Sequence, residues 1–299
     1  MIKKQWQPLW LVTMISIIAI LPSAVVSQAP PVTEGLIAHY NVRSWTGSQW
    51  SDLSGSGNHV TEIGGTSPIS VAQPFGSPPY LYGASTASMK FPVGILPSAN
   101  YTLFFVMRYN GAARNRLLNG LSQNWLSGFW AGKSGIAYHG DMGTCTWLTQ
   151  STTDVHGNDW VVGTDLSNSF RSNGVDRTIQ SRECSNFDRL AINAWGKGPA
   201  NETSDFAVQF ILVYNRSLAT AEILRVEAWL TAVSLGPWSA AASLSAPREW
   251  LVATSLLNLG LAIFAGGGST CCFVDFSYHC SLCCFGRGIR WLSGRRLLG

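Results

Sequence analysis

The stretch Tyr101-Thr-Leu-Phe-Phe-Val-Met-Arg-Tyr109 decides the fold. In an extended chain Thr102, Phe104, Val106 and Arg108 fall on one side and Leu103, Phe105 and Met107 on the other, because successive strand side chains point to opposite faces. The first half of the run is apolar on both sides. A strand of that kind is covered on both faces, so this one is expected at the centre of a packed sheet.

Outward from it the chain reads as short strands joined by tight turns. Gly35-Leu-Ile-Ala-His-Tyr40 is a first strand, and Ser51-Asp-Leu-Ser-Gly-Ser-Gly-Asn58 is a dense set of turn formers. Trp160-Val-Val-Gly-Thr164 is extended. The run Phe170 to Thr178 places Asn173-Gly174 between two extended pieces, a strong hairpin signal because both turn residues must accept positive φ. Leu190 to Ala194 and Asp205 to Tyr214 add two more strands, the second almost continuously apolar. One helix is predicted, Thr220 to Leu230, with Thr220 placed to cap its first turn and Ile223, Val226 and Leu230 on a face that can pack on a sheet edge. This pattern predicts an all-β fold: a two-sheet antiparallel jelly-roll sandwich with one short C-terminal helix.

Composition agrees with that reading. Charged residues make up 12%, against an ordinary share of about 25%, while aromatics reach 11% and there are 30 glycines, which suits sheets and Gly-rich turns better than helical bundles. The net charge is +4, and Arg287, Arg290, Arg295 and Arg296 all lie in the tail. The body has no basic stripe interleaved with stacking aromatics, which argues against a nucleic-acid partner.

The ends set the expected compartment. Lys3 and Lys4 precede an apolar stretch from Leu9 to Val26 closed by Ser27, the pattern of a helical secretory signal peptide over residues 1–27, with an uncleaved anchor as the alternative. Either places the rest of the chain in the secretory route, so it is expected to be secreted or at the cell surface. A Pro-containing spacer, Gln28 to Thr33, leads into the domain at 34–232, followed by a linker at 233–249. Trp250 to Val274 holds no charge and is long enough to cross a bilayer as a helix, although Thr254, Ser255, Asn258 and Gly266-Gly-Gly-Ser-Thr270 interrupt it. The tail arginines would then face the cytoplasm and leave the β domain outside in a single-pass topology. In the Cys- and Arg-rich tail at 275–299, and at Cys271 and Cys272, cysteines beside the membrane would be palmitoylation candidates. The alternative is a poorly folding end after about residue 236, where composition breaks sharply from the body. Cys145 and Cys184, the two cysteines of the body, are candidates for one disulfide, a free pair being the alternative. Asn100-Tyr-Thr, Asn201-Glu-Thr and Asn215-Arg-Ser match the N-glycosylation acceptor pattern.

The order of these motifs is similar to a known family. Gly35-Leu-Ile-Ala-His-Tyr40 with Trp50-Ser-Asp-Leu-Ser-Gly-Ser-Gly-Asn58 resembles the opening strand and turn of concanavalin A-like lectin/glucanase (laminin-G-like) domains. Asp159-Trp-Val-Val with Arg171-Ser-Asn-Gly174 resembles the paired strands with an Asn-Gly turn, and Ser204 to Leu218 before Ala221-Glu-Ile223 resembles the penultimate strand and terminal helix. The resemblance implies a jelly roll that binds sugars or proteins and sometimes hydrolyses glycans; fold alone does not choose among these.

The residues favour binding. A glycosidase needs two facing carboxylates, and neither Glu-x-Asp-x-Glu nor Glu-x-x-Glu occurs on a strand; Asp154, Asp159 and Asp165 straddle a loop and a strand. No catalytic residue is predicted. His39, His59, His139, His156 and His279 lack paired metal-ligand spacing, and Gly55-Ser-Gly57 is only an incomplete echo of a serine-hydrolase elbow. Calcium is a candidate cofactor, with Asp141, Asp154, Asn158 and Asp159 as candidate ligands, since loop carboxylates and carbonyls hold it and Asp and Asn are also ordinary turn residues. The most unusual segment is Asn124-Trp-Leu-Ser-Gly-Phe-Trp-Ala-Gly-Lys-Ser-Gly-Ile-Ala-Tyr-His-Gly140, where aromatics alternate with glycines. Sugar rings lay C–H faces on such side chains while polar groups take the hydroxyls. Tyr138, His139 and Trp147 are expected at the surface. Trp125 and Trp130 are further ligand-binding candidates, although at least two of Trp125, Phe129 and Trp130 are expected to fill the core. Three functions follow: a glycan-binding or adhesion module without catalysis, a secreted polysaccharide hydrolase or lyase, and a structural domain contacting extracellular proteins.

Overall fold

The computed structural model describes residues 29–75, 77–96, 100–140, 146–181, 189–194 and 202–235, with four strands beyond residue 253. Two antiparallel sheets face each other. The first contains β1 (Leu36–Asn41), β3 (Ile69–Ala72), β4 (Tyr80–Gly83), β6 (Thr102–Tyr109), β10 (Val161–Leu166), β11 (Ser169–Ser172), β12 (Val175–Asp176) and β14 (Phe206–Tyr214). Its order is β12-β11-β10-β6-β14-β4-β3, with β1 on the second half of β14. The second contains β2 (Glu62–Gly65), β5 (Ala87–Lys90), β7 (Leu118–Gly120), β8 (Trp125–Trp130), β9 (Lys133–His139) and β13 (Leu190–Ile192), in the order β2-β5-β13-β7-β8-β9.

The central position predicted for Tyr101 to Tyr109 holds: β6 pairs with β10 on one side and β14 on the other. Its two apolar faces serve two cores. Leu103, Phe105 and Met107 join the core between the sheets, whereas Phe104 and Val106 join a second core beneath helix α1 (Thr220–Leu235). The helix is therefore a third layer over the outer face of the first sheet. Each large apolar side chain buried this way contributes about 1.5–3 kcal/mol.

Two local expectations about the helix change. It lies across the sheet face and not at an edge, because Ile223, Val226, Trp229 and Leu230 pack on Phe104, Val106, Val162, Phe210 and Leu212. Thr220 is already helical; the preceding N–H, of Ala219, is held by Glu222 Oε2 at 2.9 Å, which reaches back from the first turn. Buried Glu227 ties the helix to the sheet, accepting from Thr164 Oγ1 at 2.7 Å and Arg171 Nε at 2.9 Å. The Asn173-Gly174 turn forms as expected, with φ of 47° and 79°.

The leader at 1–27 lies outside the described residues. Of the stretch read as a candidate membrane helix, the described parts are extended: β15 (Thr254–Leu256), β16 (Leu261–Ala265) and most of β17 (Thr270–Asp275) form an antiparallel meander with β18 (Cys280–Phe285). Among the described residues no helix is long and apolar enough to cross a membrane.

Candidate functional site

The aromatic-glycine segment folds as the β8–β9 hairpin. Its two-residue turn is Ala131-Gly132, with φ of 49° and 78°, the pair of positive values that a right-twisted hairpin needs. The pairing runs from Trp125 opposite His139 to Trp130 opposite Lys133, with a bulge between Gly128 and Phe129. Gly128 has φ of 86°, and a Cβ there would stand 2.7 Å from the Phe105 ring, so the inner surface requires glycine at that position.

Alternation along the hairpin sorts the candidate residues. Trp125, Phe129 and Ala137 turn into the inter-sheet core. Leu126 and Tyr138, opposite one another, turn outward, and Trp147 joins them through a single bridge to Tyr138. The Trp147 ring stands 5.0 Å from Tyr138 and 5.3 Å from Trp130, and Lys133 Nζ lies 5.6 Å from the Trp130 ring centre. All three rings are half-buried. The result is a strip of three rings in contact, Tyr138, Trp147 and Trp130, with a cation at one end. Such a strip can present flat apolar area beside a hydrogen-bond donor.

Two of the expected ligand-binding residues are not on that strip. Trp125 is 3% exposed and His139 1% exposed. The reason is the period of two: with Tyr138 outward, His139 must point inward. There its Nε2 stands 3.2 Å from the Asp165 carboxylate and its Nδ1 3.3 Å from the Ser167 carbonyl, with the Trp125 ring stacked on it at 5.5 Å. Asp165 also accepts from Tyr101 Oη and Ser127 Oγ, both at 2.6 Å. Burial, reinforced by the Asp165 charge, pushes the Tyr101 phenol well above its ordinary range. Asp165 belongs to β10 in one sheet, and Ser127 and His139 to β8 and β9 in the other, so this buried cluster is a polar clamp between the sheets.

Of the candidate calcium ligands, Asp154 is engaged by the protein itself. Asp154 accepts from Ser134 N at 3.0 Å, Ser134 Oγ at 2.8 Å and Gly157 N at 3.0 Å. Burial pushes its carboxyl up, but the bonds from Ser134, Gly157 and His156 together hold it below the usual range. Its charge is thus spent on fastening the loop that carries Asn158 and Asp159 to β9. No group of three His, Cys, Asp or Glu residues fit to hold a metal occurs among the described residues. Asp141, Cys145, Cys184 and Asn201 lie outside the described residues, while Asn100 and Asn215 are exposed.

Lys133 was not singled out in the sequence, because its place beside Trp130 follows only once the hairpin register is known. Nor was Arg108. That side chain, with Tyr80, Pro78, Trp160, Gln209 and Ser234, lines a cavity of about 230 Å³ on the helix-covered side of the first sheet.

No protein-family model matches the sequence, and no curated protein matches it. Some solved structures show a partial likeness to it. Domain 4 of AbnA, a GH43 extracellular arabinanase from Geobacillus stearothermophilus in complex with arabinotriose, is 13% identical, with a TM-score of 0.49 over 64% of this chain and 98% of that one. The binding domain of Paraclostridial Mosquitocidal Protein 1 is 14% identical, with a TM-score of 0.48 over 84% of this chain and 63% of that one. Trypanosoma rangeli sialidase, in complex with a difluoro-KDN, is 16% identical, with a TM-score of 0.46 over 73% of this chain and 36% of the sialidase. At these identities and scores the likeness assigns the chain neither a family nor a function.

Proposed function

We propose that this domain is a secreted or cell-surface carbohydrate-binding module of the concanavalin A-like type that binds glycans without hydrolysing them. The observation that carries the reading is the strip of Tyr138, Trp147 and Trp130 on the outer face of the second sheet, ending at Lys133. Three rings, Trp147 packed on each of the other two, hold a rigid apolar surface at low entropic cost, and a sugar lays its C–H face on it while Lys133 takes a hydroxyl or acidic substituent.

The carboxylates support binding over hydrolysis. Asp52 holds the Ser51 to Asn58 turn through Ser54 and the His39 N–H, Asp205 accepts from Ser85 and Ala113, Glu227 pairs with Arg171, and Asp165 is fully buried. A hydrolase needs two carboxyl groups facing one cleft about 5–9.5 Å apart, and these groups are committed elsewhere.

The test is glycan-array screening, followed by titration of the best ligand against the wild-type chain and against Trp147→Ala and Tyr138→Ala, with near-ultraviolet circular dichroism to check folding. Saturable binding that drops at least tenfold in folded variants is expected, with no new reducing ends released. Unchanged binding in both variants removes the site, and products appearing with time make the protein an enzyme.

A further inference from the structure

On the opposite side of the sandwich, α1 covers part of the outer face of the first sheet. Where the helix ends, three polar side chains from three elements meet: Arg108 from β6, Gln209 from β14 and Ser234 from the last turn of α1. Arg108 Nε, Gln209 Oε1 and Ser234 Oγ are all buried and have no hydrogen-bond partner among the described residues; Gln209 and Ser234 are each 1% exposed. Buried polar groups are nearly always paired, and three orphans lining one cavity are a concentrated exception.

The chain arranges this deliberately at the backbone level. The register of β14 against β6 slips between Val208 and Phe210. Phe206, Val208, Ile211 and Val213 face the inter-sheet core, while Phe210, Leu212 and Tyr214 face the helix. The bulge therefore puts Gln209 and Phe210 on the helix side together, adding an amide beside Arg108. Bulges commonly re-aim side chains in this way beside binding sites.

The guanidinium of Arg108 is held but not neutralised. It lies 4.9 Å from the Trp160 ring centre and 5.3 Å from that of Tyr80, and Nη2 reaches Asn110 Oδ1 at 3.0 Å and Tyr80 Oη at 3.4 Å. Among the described residues no carboxylate pairs with it. Two rings fix its plane and leave Nε without a partner, a preorganised charged donor for a carboxylate oxygen. Beside it stand an acceptor, Gln209 Oε1, that needs a hydroxyl proton, and a hydroxyl, Ser234, that can give or take one. Pro78 and the two rings supply apolar wall. The cavity of about 230 Å³ has room for one ring and its substituents.

We propose that this cavity is a second binding site, specific for a single carboxylate-bearing sugar unit of the uronic acid kind. Its carboxylate meets Arg108, a ring hydroxyl donates to Gln209 Oε1, Ser234 bonds a second oxygen, and the C–H face rests on Trp160 and Pro78. A neutral sugar leaves the cation unmatched, and a simple anion leaves Gln209 and Ser234 unmatched. The site is independent of the strip on the other sheet.

The experiment titrates the full chain with methyl β-glucuronide, methyl β-glucoside and acetate by calorimetry, with Trp160 fluorescence as a second signal. The glucuronide is expected to bind at least tenfold more tightly than either control. Arg108→Gln should abolish that preference, and Gln209→Leu, which fills the same space without an acceptor, should weaken the glucuronide several-fold. Failure of this site is read from Arg108→Gln and Gln209→Leu, and failure of the strip from Trp147→Ala and its array-selected glycan, so the two are separable. Equal binding of glucuronide and glucoside, equal binding of acetate, or a glucuronide affinity untouched in folded Gln209→Leu and Arg108→Gln overturns the proposal, as does no binding of any of the three, which leaves the cavity to water alone.

Discussion

The two outer faces of this sandwich are finished in opposite ways. On the first sheet Phe104, Val106, Val162, Phe210 and Leu212 form an apolar surface that α1 must cover, and the helix does so with Ile223, Val226, Trp229 and Leu230. On the second sheet the β8–β9 surface carries Tyr138 and Trp130, and among the described residues the ring that packs on both is Trp147, held by a single bridge. A face closed by a whole element is part of the fold, whereas a face closed by one half-buried ring keeps apolar area near solvent. That difference is why glycan binding is assigned to the second sheet, and truncating one tryptophan on each face tests it.

The largest effect is expected at Trp229. It stands 5.5 Å from Phe210 and 6.3 Å from His39, edge-on to both, and is 8% exposed. Trp229→Ala should cost about 3–5 kcal/mol in urea unfolding, the range for emptying a large buried site. A loss under about 1 kcal/mol would mean that the helix is an accessory to the sheet and not its third layer.

Acidification should act on the same covered face. His39, on β1, is 4% exposed, its Nε2 lacks a partner among the described residues, and burial lowers its pKa from 6.5 to about 4 against the opposing pull of Asp52. The folded state keeps the ring neutral while the unfolded chain takes up a proton below about 6.5, so stability is complete above that pH and falls on going down to about 4. The full loss is on the order of 3 kcal/mol, from the shift at 1.36 kcal/mol per unit. His156, lowered by burial and by Arg177, adds loss of the same sign. Denaturation midpoints measured between pH 7 and pH 4 should fall for the wild type and fall less for His39→Gln. An equal fall in both would place the acid sensitivity elsewhere.

Trp147→Ala sharpens the comparison from the other side. Because the ring is half-buried and packs on two rings that are themselves half-exposed, its removal should cost only about 1 kcal/mol in the same unfolding experiment while glycan binding falls. A cost near that of Trp229→Ala would show that this ring, too, is structural.

How much of this was legible in the sequence differs between the same two faces. The first sheet was legible in most of its parts: Tyr101 to Tyr109 and Asp205 to Tyr214 are apolar on both sides, and Asn173-Gly174 marks its hairpin, so β1, β6, β10, β11, β14, the turn and the helix were found, while β3 and β4 were not. What the alternation could not say was that the second apolar face of β6 belongs under a helix. The β8–β9 hairpin was not recognised as strands, since glycines at 128, 132 and 135 dilute the period of two and Ala-Gly is a poor turn signal. Without the register, the one-residue step that sends Tyr138 outward and His139 inward was unreadable, and His139 was expected at a surface it does not reach, whereas Trp125 and Phe129 are the two aromatics of the segment that fill the core. Arg108 did leave a trace, as the only charge in an otherwise apolar strand, but its partners Gln209, Trp160 and Ser234 come from distant parts of the chain and one arrives only through a bulge.

The weak turn signal offers the smallest test. Ala131-Gly132 and Asn173-Gly174 adopt almost the same backbone, with φ of 49° and 78° in one and 47° and 79° in the other. Asparagine tolerates the left-handed region, whereas alanine pays about 1 kcal/mol or more to enter it. Ala131→Asn therefore makes the second-sheet turn chemically like the first-sheet turn, and it avoids the unfolded-state entropy that Ala131→Gly would add. The variant should gain about 0.5–1 kcal/mol, a rise of roughly 1–4 °C in melting temperature for a domain of this size. Glycan binding should hold, because Trp130 and Lys133 flank the turn in the same register. A destabilised Ala131→Asn would mean that the alanine methyl packs against something at the tip. In that case the open face would be closed at its end, and the strip would be shorter than its three rings suggest.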